Sequence, residues 1–144
     1  MLNDYSYREN PAKQEDSRWV HRIPADPQRY DKRTDPKTVP GQVFQGLLEL
    51  IKRRKEEPLF SGNPPVFINC GNPHVFGYIR RNKYRQILLL NNFSDFEQRV
   101  PRNVLRLSGL GAKIVDNLSG ETFPLEEDLT LKPFQFMWLR DKTQ

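Results

Sequence analysis

At Pro58 the hydrophobic pattern of this chain changes period, and that switch limits the architectures open to it. Before it, Val43, Phe44, Leu47, Leu48 and Ile51 recur at three- and four-residue spacing, the stripe of an amphipathic helix. Thr38 offers a capping hydroxyl and Pro40 suits a first helical turn, so the spacing predicts a helix from Thr38 to about Glu57, stopped by Pro58. Glu49 with Arg53, and Lys52 with Glu56, stand one turn apart, a spacing worth about 0.2–0.5 kcal/mol per ion pair. After Pro58 the residues become β-branched and aromatic with period two, broken by turn residues roughly every eight to twelve positions. Strands are expected over 66–70, 74–80, 86–93, 112–117, 121–125 and 134–139. Gly71-Asn72-Pro73 and Arg81-Asn82-Lys83 read as hairpin connections, and Ser119-Gly120 as the turn of a later pair, which together predict an antiparallel meander. The runs 87–90 and 134–139 are apolar on both sides, as strands covered on two faces are. The fold class expected is therefore mainly β, an antiparallel β-sandwich preceded by one α-helix and an irregular N-terminal segment. The divisions fall at 1–37, 38–58 and 59–142.

A length of 144 residues supports one domain of ordinary size. The hydrophobic fraction of 36% is too low for all of it to be core, and the first 35 residues, punctuated by Pro11, Pro24 and Pro27, carry no periodicity. Within them Tyr5, Tyr7, Trp19, Val20 and Tyr30 are more apolar than a solvated linker needs, which suggests a loop that packs on another surface. The net charge of +5 is spread over the whole length and marks no binding site. A lone cysteine, Cys70, excludes an internal disulfide and reads as a small strand hydrophobe in a reducing compartment. No apolar run approaches the roughly 20 residues of a membrane span, and the first residues do not resemble a signal peptide, so the expectation is a cytoplasmic protein with no membrane partner.

Five stretches carry a resemblance: Asp16-Ser17-Arg18-Trp19-Val20-His21-Arg22, Gly41-Gln42-Val43-Phe44-Gln45-Gly46-Leu47, Asn72-Pro73-His74-Val75-Phe76-Gly77-Tyr78, Asn91-Asn92-Phe93-Ser94 and Leu129-Thr130-Leu131-Lys132-Pro133-Phe134-Gln135. In this order, over nearly the whole chain, they resemble the carboxy-terminal part of amylosucrases. These are glycoside hydrolase family 13 enzymes of the alpha-amylase superfamily that split sucrose and build α-glucans. The resemblance implies the loop after the last strand of a catalytic (β/α)8 barrel, the last barrel helix, and a Greek-key-like sandwich of the alpha-amylase C-terminal type. The family's nucleophilic Asp, acid/base Glu and stabilising Asp lie upstream of any matching residue, so none is carried over and no catalytic residue is assigned. Arg18 is the one substrate-binding residue implied, bracing the floor of the sugar pocket against a barrel aspartate only when the barrel is present. A planar guanidinium suits that task. The implied partners are the barrel of the parent chain and, through it, sucrose or α-glucan.

Read for chemistry alone, the β region offers Asp95, Glu97, Asp116, Glu121, Glu126, Glu127 and Asp128, nearly all at expected turns or strand ends, and no facing pair of the kind glycosidic cleavage requires. His21 and His74 stand far apart with no ligand-spaced neighbour, so no metal site is expected. His21 falls in the first resembling stretch, where it is expected to orient the loop by hydrogen bonds. The serines lack a nucleophile elbow, and Gly109-Leu110-Gly111 lacks the third glycine of a dinucleotide site, so no cofactor is expected. Lys52, Arg53, Arg54 and Lys55 form a polar helix face, and Arg80, Arg81, Lys83 and Arg85 protect a hairpin, which leaves no nucleic-acid partner. Most of Phe67, Phe76, Tyr78, Phe93, Phe96, Phe123, Phe134, Phe136 and Trp138 are expected in the core. Tyr84 and Phe96, at loop positions, are the candidate glucan surface. The leading expectation is a non-catalytic domain that stabilises a glucosyltransferase or hydrolase. Two rivals are an α-glucan-binding module and a chain that splits sucrose by itself. A bare stripe at Val43, Phe44, Leu47 and Leu48 would also favour self-association of the isolated chain.

Overall fold

The computed structural model describes residues 4–20 and 27–142. It divides into two compact units, Met1–Leu50 and Ile51–Gln144.

In the first unit the polar segment folds into a succession of tight turns: 3-10 turns at Ser6–Glu9 and Ser17–Trp19, a short helix α1 (Pro27–Asp31), and a 3-10 turn at Lys32–Thr34. Short polar side chains organise these turns by taking up nearby backbone donors. Asp4 accepts from the Ser6 N–H, Asn10 from that of Ala12, Asp16 from that of Arg18 and Asp35 from that of Lys37. Helix α2 (Val39–Glu56) follows, within a residue of the expected limits. The Thr38 hydroxyl accepts the Gly41 N–H at 3.1 Å and shares its one proton between the Lys32 and Asp35 carbonyls, so it caps the helix and ties down the preceding turn. A side chain at Gly41 would stand 1.8 Å from the Asp35 carbonyl oxygen, so only glycine permits this approach. Val43, Leu47, Leu48 and Ile51 on α2 are each 45–56% exposed.

The second unit is the β domain. Strands β1 (Val66–Ile68), β2 (Val75–Arg81), β3 (Gln86–Asn92), β5 (Lys113–Asp116), β6 (Thr122–Pro124) and β8 (Phe136–Asp141) form one sheet in the order β1-β2-β3-β8-β5-β6. Every pairing in it is antiparallel. Two three-residue strands, β4 (Gln98–Val100) and β7 (Leu129–Leu131), form a second antiparallel sheet, and a short helix α3 (Arg102–Leu107) follows β4. The core is aliphatic: Leu88 and Leu90 of β3, Ile114 of β5 and Leu139 of β8 meet Val100, Leu105, Leu125 and Leu131 from β4, α3, β7 and the loop before β7. The domain is thus an antiparallel β-sandwich with one broad layer and one small one, and truncating any of these buried leucines to alanine costs about 2–5 kcal/mol.

Several expectations need correcting. The meander holds only for β1-β2-β3 and for the β5-β6 hairpin, because β8, last in the chain, enters the middle of the sheet between β3 and β5. Strands β4 and β7 and helix α3 were not expected. Phe134, expected to open a strand, has a positive φ of 53° in a turn closed by the Gln135 N–H on the Lys132 carbonyl, so the strand starts at Phe136. The largest departure concerns the aromatics. Phe67, Phe76, Phe93, Phe96, Phe134 and Phe136 are exposed, Tyr78 and Phe123 are half-buried, and only Trp138 is buried. The physical reason is register: Ile79, Leu88, Leu90, Met137 and Leu139 take the core-facing positions, so the strand aromatics one residue out of phase point the other way.

Candidate functional site

Arg18 lies in the second 3-10 turn, where its guanidinium grips Asp16 through both carboxylate oxygens, Nε to Oδ1 and Nη2 to Oδ2, each at 2.8 Å. Asp16 also accepts the Arg18 backbone N–H at 3.1 Å, so the side chain and the turn hold each other. This hydrogen bonding, and then the charge of Asp16, raise the Arg18 pKa further above its ordinary value. The arginine side chain remains 79% exposed. Beside it the Lys13 ammonium sits 4.2 Å from the centre of the Trp19 ring. The expectation for His21 falls outside the described residues.

Tyr84 and Phe96 are both exposed but occupy opposite ends of β3, Tyr84 in the turn before it and Phe96 in the loop after it. Seven strand residues separate those ends, about 20 Å or more at the usual rise. The structure therefore does not bring the two together. The Lys83 ammonium lies 4.9 Å from the Tyr84 ring centre, so a cation already accompanies one ring face.

What the sequence reading missed is an aromatic surface on the side of the broad sheet away from the core. Phe67 and Tyr78 pair across β1 and β2, and the rings of Phe67, Phe76, Tyr78 and Phe93 follow one another at centroid spacings of 5.7–6.4 Å and tilts of 45–65°. The alternation of Phe76-Gly77-Tyr78 was the signal available for it. At the far end of the same face, Arg53, Glu56, Glu57, Asn117, Trp138 and Arg140 line a polar notch of about 240 Å³. Glu57 there receives Arg85 at 3.3 Å and the Asn117 carboxamide at 3.4 Å.

Asp116, one of the acids expected at turns or strand ends, is buried at the end of β5. It accepts the Trp138 N–H at 2.8 Å, the Ser119 hydroxyl at 2.8 Å and the backbone donors of Leu118 and Ser119. These bonds occupy its lone pairs and make it an organiser of the β5-β6 turn. Asp128 likewise accepts the Arg102 N–H at the start of α3. Among the described residues no group of three or more His, Cys, Asp or Glu could hold a metal ion, and no helix is long and apolar enough to cross a membrane.

An uneven antiparallel sandwich following one long helix is the architecture of the alpha-amylase type of C-terminal domain. The family model described as Maltogenic Amylase, C-terminal domain matches residues 66–138, from β1 into β8, and the chain belongs to this family, a C-terminal domain of glycoside hydrolase family 13 enzymes. Solved structures agree on the fold. A variant of AmyP in complex with maltotriose matches with a TM-score of 0.61 at 16% identity, over 75% of this chain and 22% of that one. Isomaltulose synthase (PalI) from Klebsiella sp. LX3 matches with a TM-score of 0.53 at 19% identity, over 68% and 17%. A MutB variant in complex with the substrate sucrose matches with a TM-score of 0.52 at 20% identity, over 76% and 19%. The chain thus spans about a fifth of the length of the structures it matches.

Proposed function

We propose that this chain is a non-catalytic domain of an amylosucrase-like enzyme acting on sucrose or α-glucans, and that its role is to pack against and stabilise the catalytic barrel. The observation that carries this reading is the bare apolar stripe of α2. Four aliphatic side chains, each about half exposed along one helix, represent burial forgone unless another surface covers them. At about 25 cal/mol per Å² of apolar surface, covering such a stripe contributes a few kcal/mol to an assembled enzyme. The amylosucrase-like motifs from Asp16 to Gln135 support the substrate class, as does the company of sugar-bound AmyP and MutB structures. In this reading Arg18 and its turn reach the sugar pocket and brace it once the barrel supplies an acidic partner.

The test has two arms. Purified chain incubated with sucrose should release no fructose above background, and steady release would overturn the non-catalytic assignment. In the second arm the chain should bind a hydrophobic dye or self-associate, and a Val43→Ser/Leu47→Ser/Leu48→Ser variant should lose a measurable part of that signal, the exposed sheet aromatics keeping the rest, while retaining the β-sheet circular dichroism. A dye-silent, strictly monomeric parent chain would argue for a self-sufficient domain.

A further inference from the structure

Four short polar side chains organise the turns of the first unit, and one of them does more than a turn requires. Asp4, Asn10 and Asp35 each accept the backbone N–H two residues on, from Ser6, Ala12 and Lys37 respectively. Asn10 shows that a carboxamide oxygen suffices for that task. Asp16 accepts the Arg18 N–H in the same way, at 3.1 Å, and in addition takes the Arg18 guanidinium on both of its oxygens, each at 2.8 Å. The second oxygen and the negative charge are surplus to the turn, and they serve the guanidinium. The platform under this grip is itself fixed. The Asp16 N–H donates to the Lys13 carbonyl at 2.9 Å, the Asp16 carbonyl accepts the Trp19 N–H at 3.2 Å, and the Lys13 ammonium lies over the Trp19 ring.

A guanidinium has two edges that a carboxylate bridges well, and Asp16 occupies one of them, Nε with Nη2. The other, Nη1 with the remaining Nη2 hydrogen, points away from Asp16 on a side chain that is 79% exposed. We propose that Asp16 is a positioning residue for substrate binding in the parent enzyme, holding Arg18 by one edge so that the other is set in advance for a carboxylate of the barrel at the sugar pocket. This rests on the reading under Proposed function that the Arg18 turn reaches that pocket, and it adds the group that aims the guanidinium. An arginine free to turn would lose its rotamer freedom only on meeting the pocket, whereas one already gripped has lost it beforehand. One planar cation then joins two carboxylates, which a lysine, a point charge without edges, does not do. A brace of this kind holds the sugar equally before and during bond cleavage, so its loss appears in KM and leaves kcat alone.

The test uses Asp16→Asn, which keeps an oxygen for the Arg18 N–H, as Asn10 does for Ala12, and removes the charge and the second acceptor. In the complete parent enzyme the KM for sucrose or α-glucan should rise several-fold at nearly constant kcat, and Arg18→Lys should do the same. Adding Asp16→Asn to Arg18→Lys should change little more, because the two residues act as one unit. Asp4→Asn, the same exchange at the Ser6 turn, should leave KM where it was. In the chain alone the Arg18 Nε–H should give a distinct, slowly exchanging NMR cross-peak that joins those of the other arginines in Asp16→Asn. If Arg18→Lys raises KM and Asp16→Asn does not, the positioning role of Asp16 fails while that of Arg18 stands. If neither substitution moves KM, the reading of Arg18 falls with it. An equal rise in Asp4→Asn, or an Arg18 cross-peak indifferent to Asp16→Asn, would reduce Asp16 to a former of turns.

Discussion

Asp116 accepts the backbone N–H of Trp138 at 2.8 Å, joining the end of β5 to the middle of β8 across 22 residues of sequence. The carboxylate that turns the β5-β6 corner therefore also fixes the strand inserted at the centre of the sheet. Asp116→Ala strands the buried Trp138 N–H and frees the part-buried donors of the turn, and the expected cost is about 2–4 kcal/mol in urea denaturation. Asp116→Asn keeps the shape and one acceptor oxygen and should cost clearly less. Equal losses in the two variants would mean that the space filled, and not the acceptor, is what matters.

Gly77 provides a packing test. A Cβ there would stand 2.5 Å from Cys70 Sγ and 3.1 Å from both Ile68 Cγ1 and Leu90 Cδ2. Gly77→Ala should destabilise by about 1–3 kcal/mol, and adding Cys70→Ala should recover part of that loss by removing the nearest atom. Strict additivity in a double-mutant cycle would contradict the contact.

Burial pushes the Cys70 thiol up from its ordinary pKa. The folded chain therefore holds this proton more tightly than the unfolded chain. Its contribution to stability is complete below the unfolded thiol value, about 8.5, and is lost as the pH rises through the raised folded value. Denaturation midpoints followed from pH 7 to pH 10 should decline more steeply in the parent than in Cys70→Ala. Alkylation of Cys70 in native protein should be slow and should accelerate in urea.

Amylose retention discriminates the domain from a glucan-binding module. With Tyr84 and Phe96 at opposite ends of β3, neither ring can reinforce the other on one short oligosaccharide, so amylose in an affinity gel should not slow migration. Millimolar or tighter retention that disappears in Tyr84→Ala would restore the binding-module reading.

Legibility in the sequence followed the distance over which each feature is determined. Thr38, Pro40 and Pro58 punctuate α2 locally, and alternation in β2 and the continuous apolar run 87–90 in β3 placed these strands to within a residue or so. Strand β4 could not be read this way, because Gln98–Val100 is too short to show alternation and is a strand only through Leu129–Leu131, some thirty residues on. The placement of β8 depends on β3 and β5 together, which no local window contains. The structural role of Asp116 was not legible because its main acceptor role is met by a backbone donor far along the chain. The aromatic face escaped because composition sends large rings inward, while register, set by the aliphatic residues between them, turned Phe67, Phe76 and Phe93 outward.

The margins of the broad sheet carry a last implication. Its outermost strands, β1 and β6, are three residues long, and β6 closes on Pro124, which has no backbone hydrogen to offer a neighbour. The exposed rings stand on a face of the sheet and not along its edges, so those edges offer little template for the ribbon-by-ribbon growth that ends in fibrils.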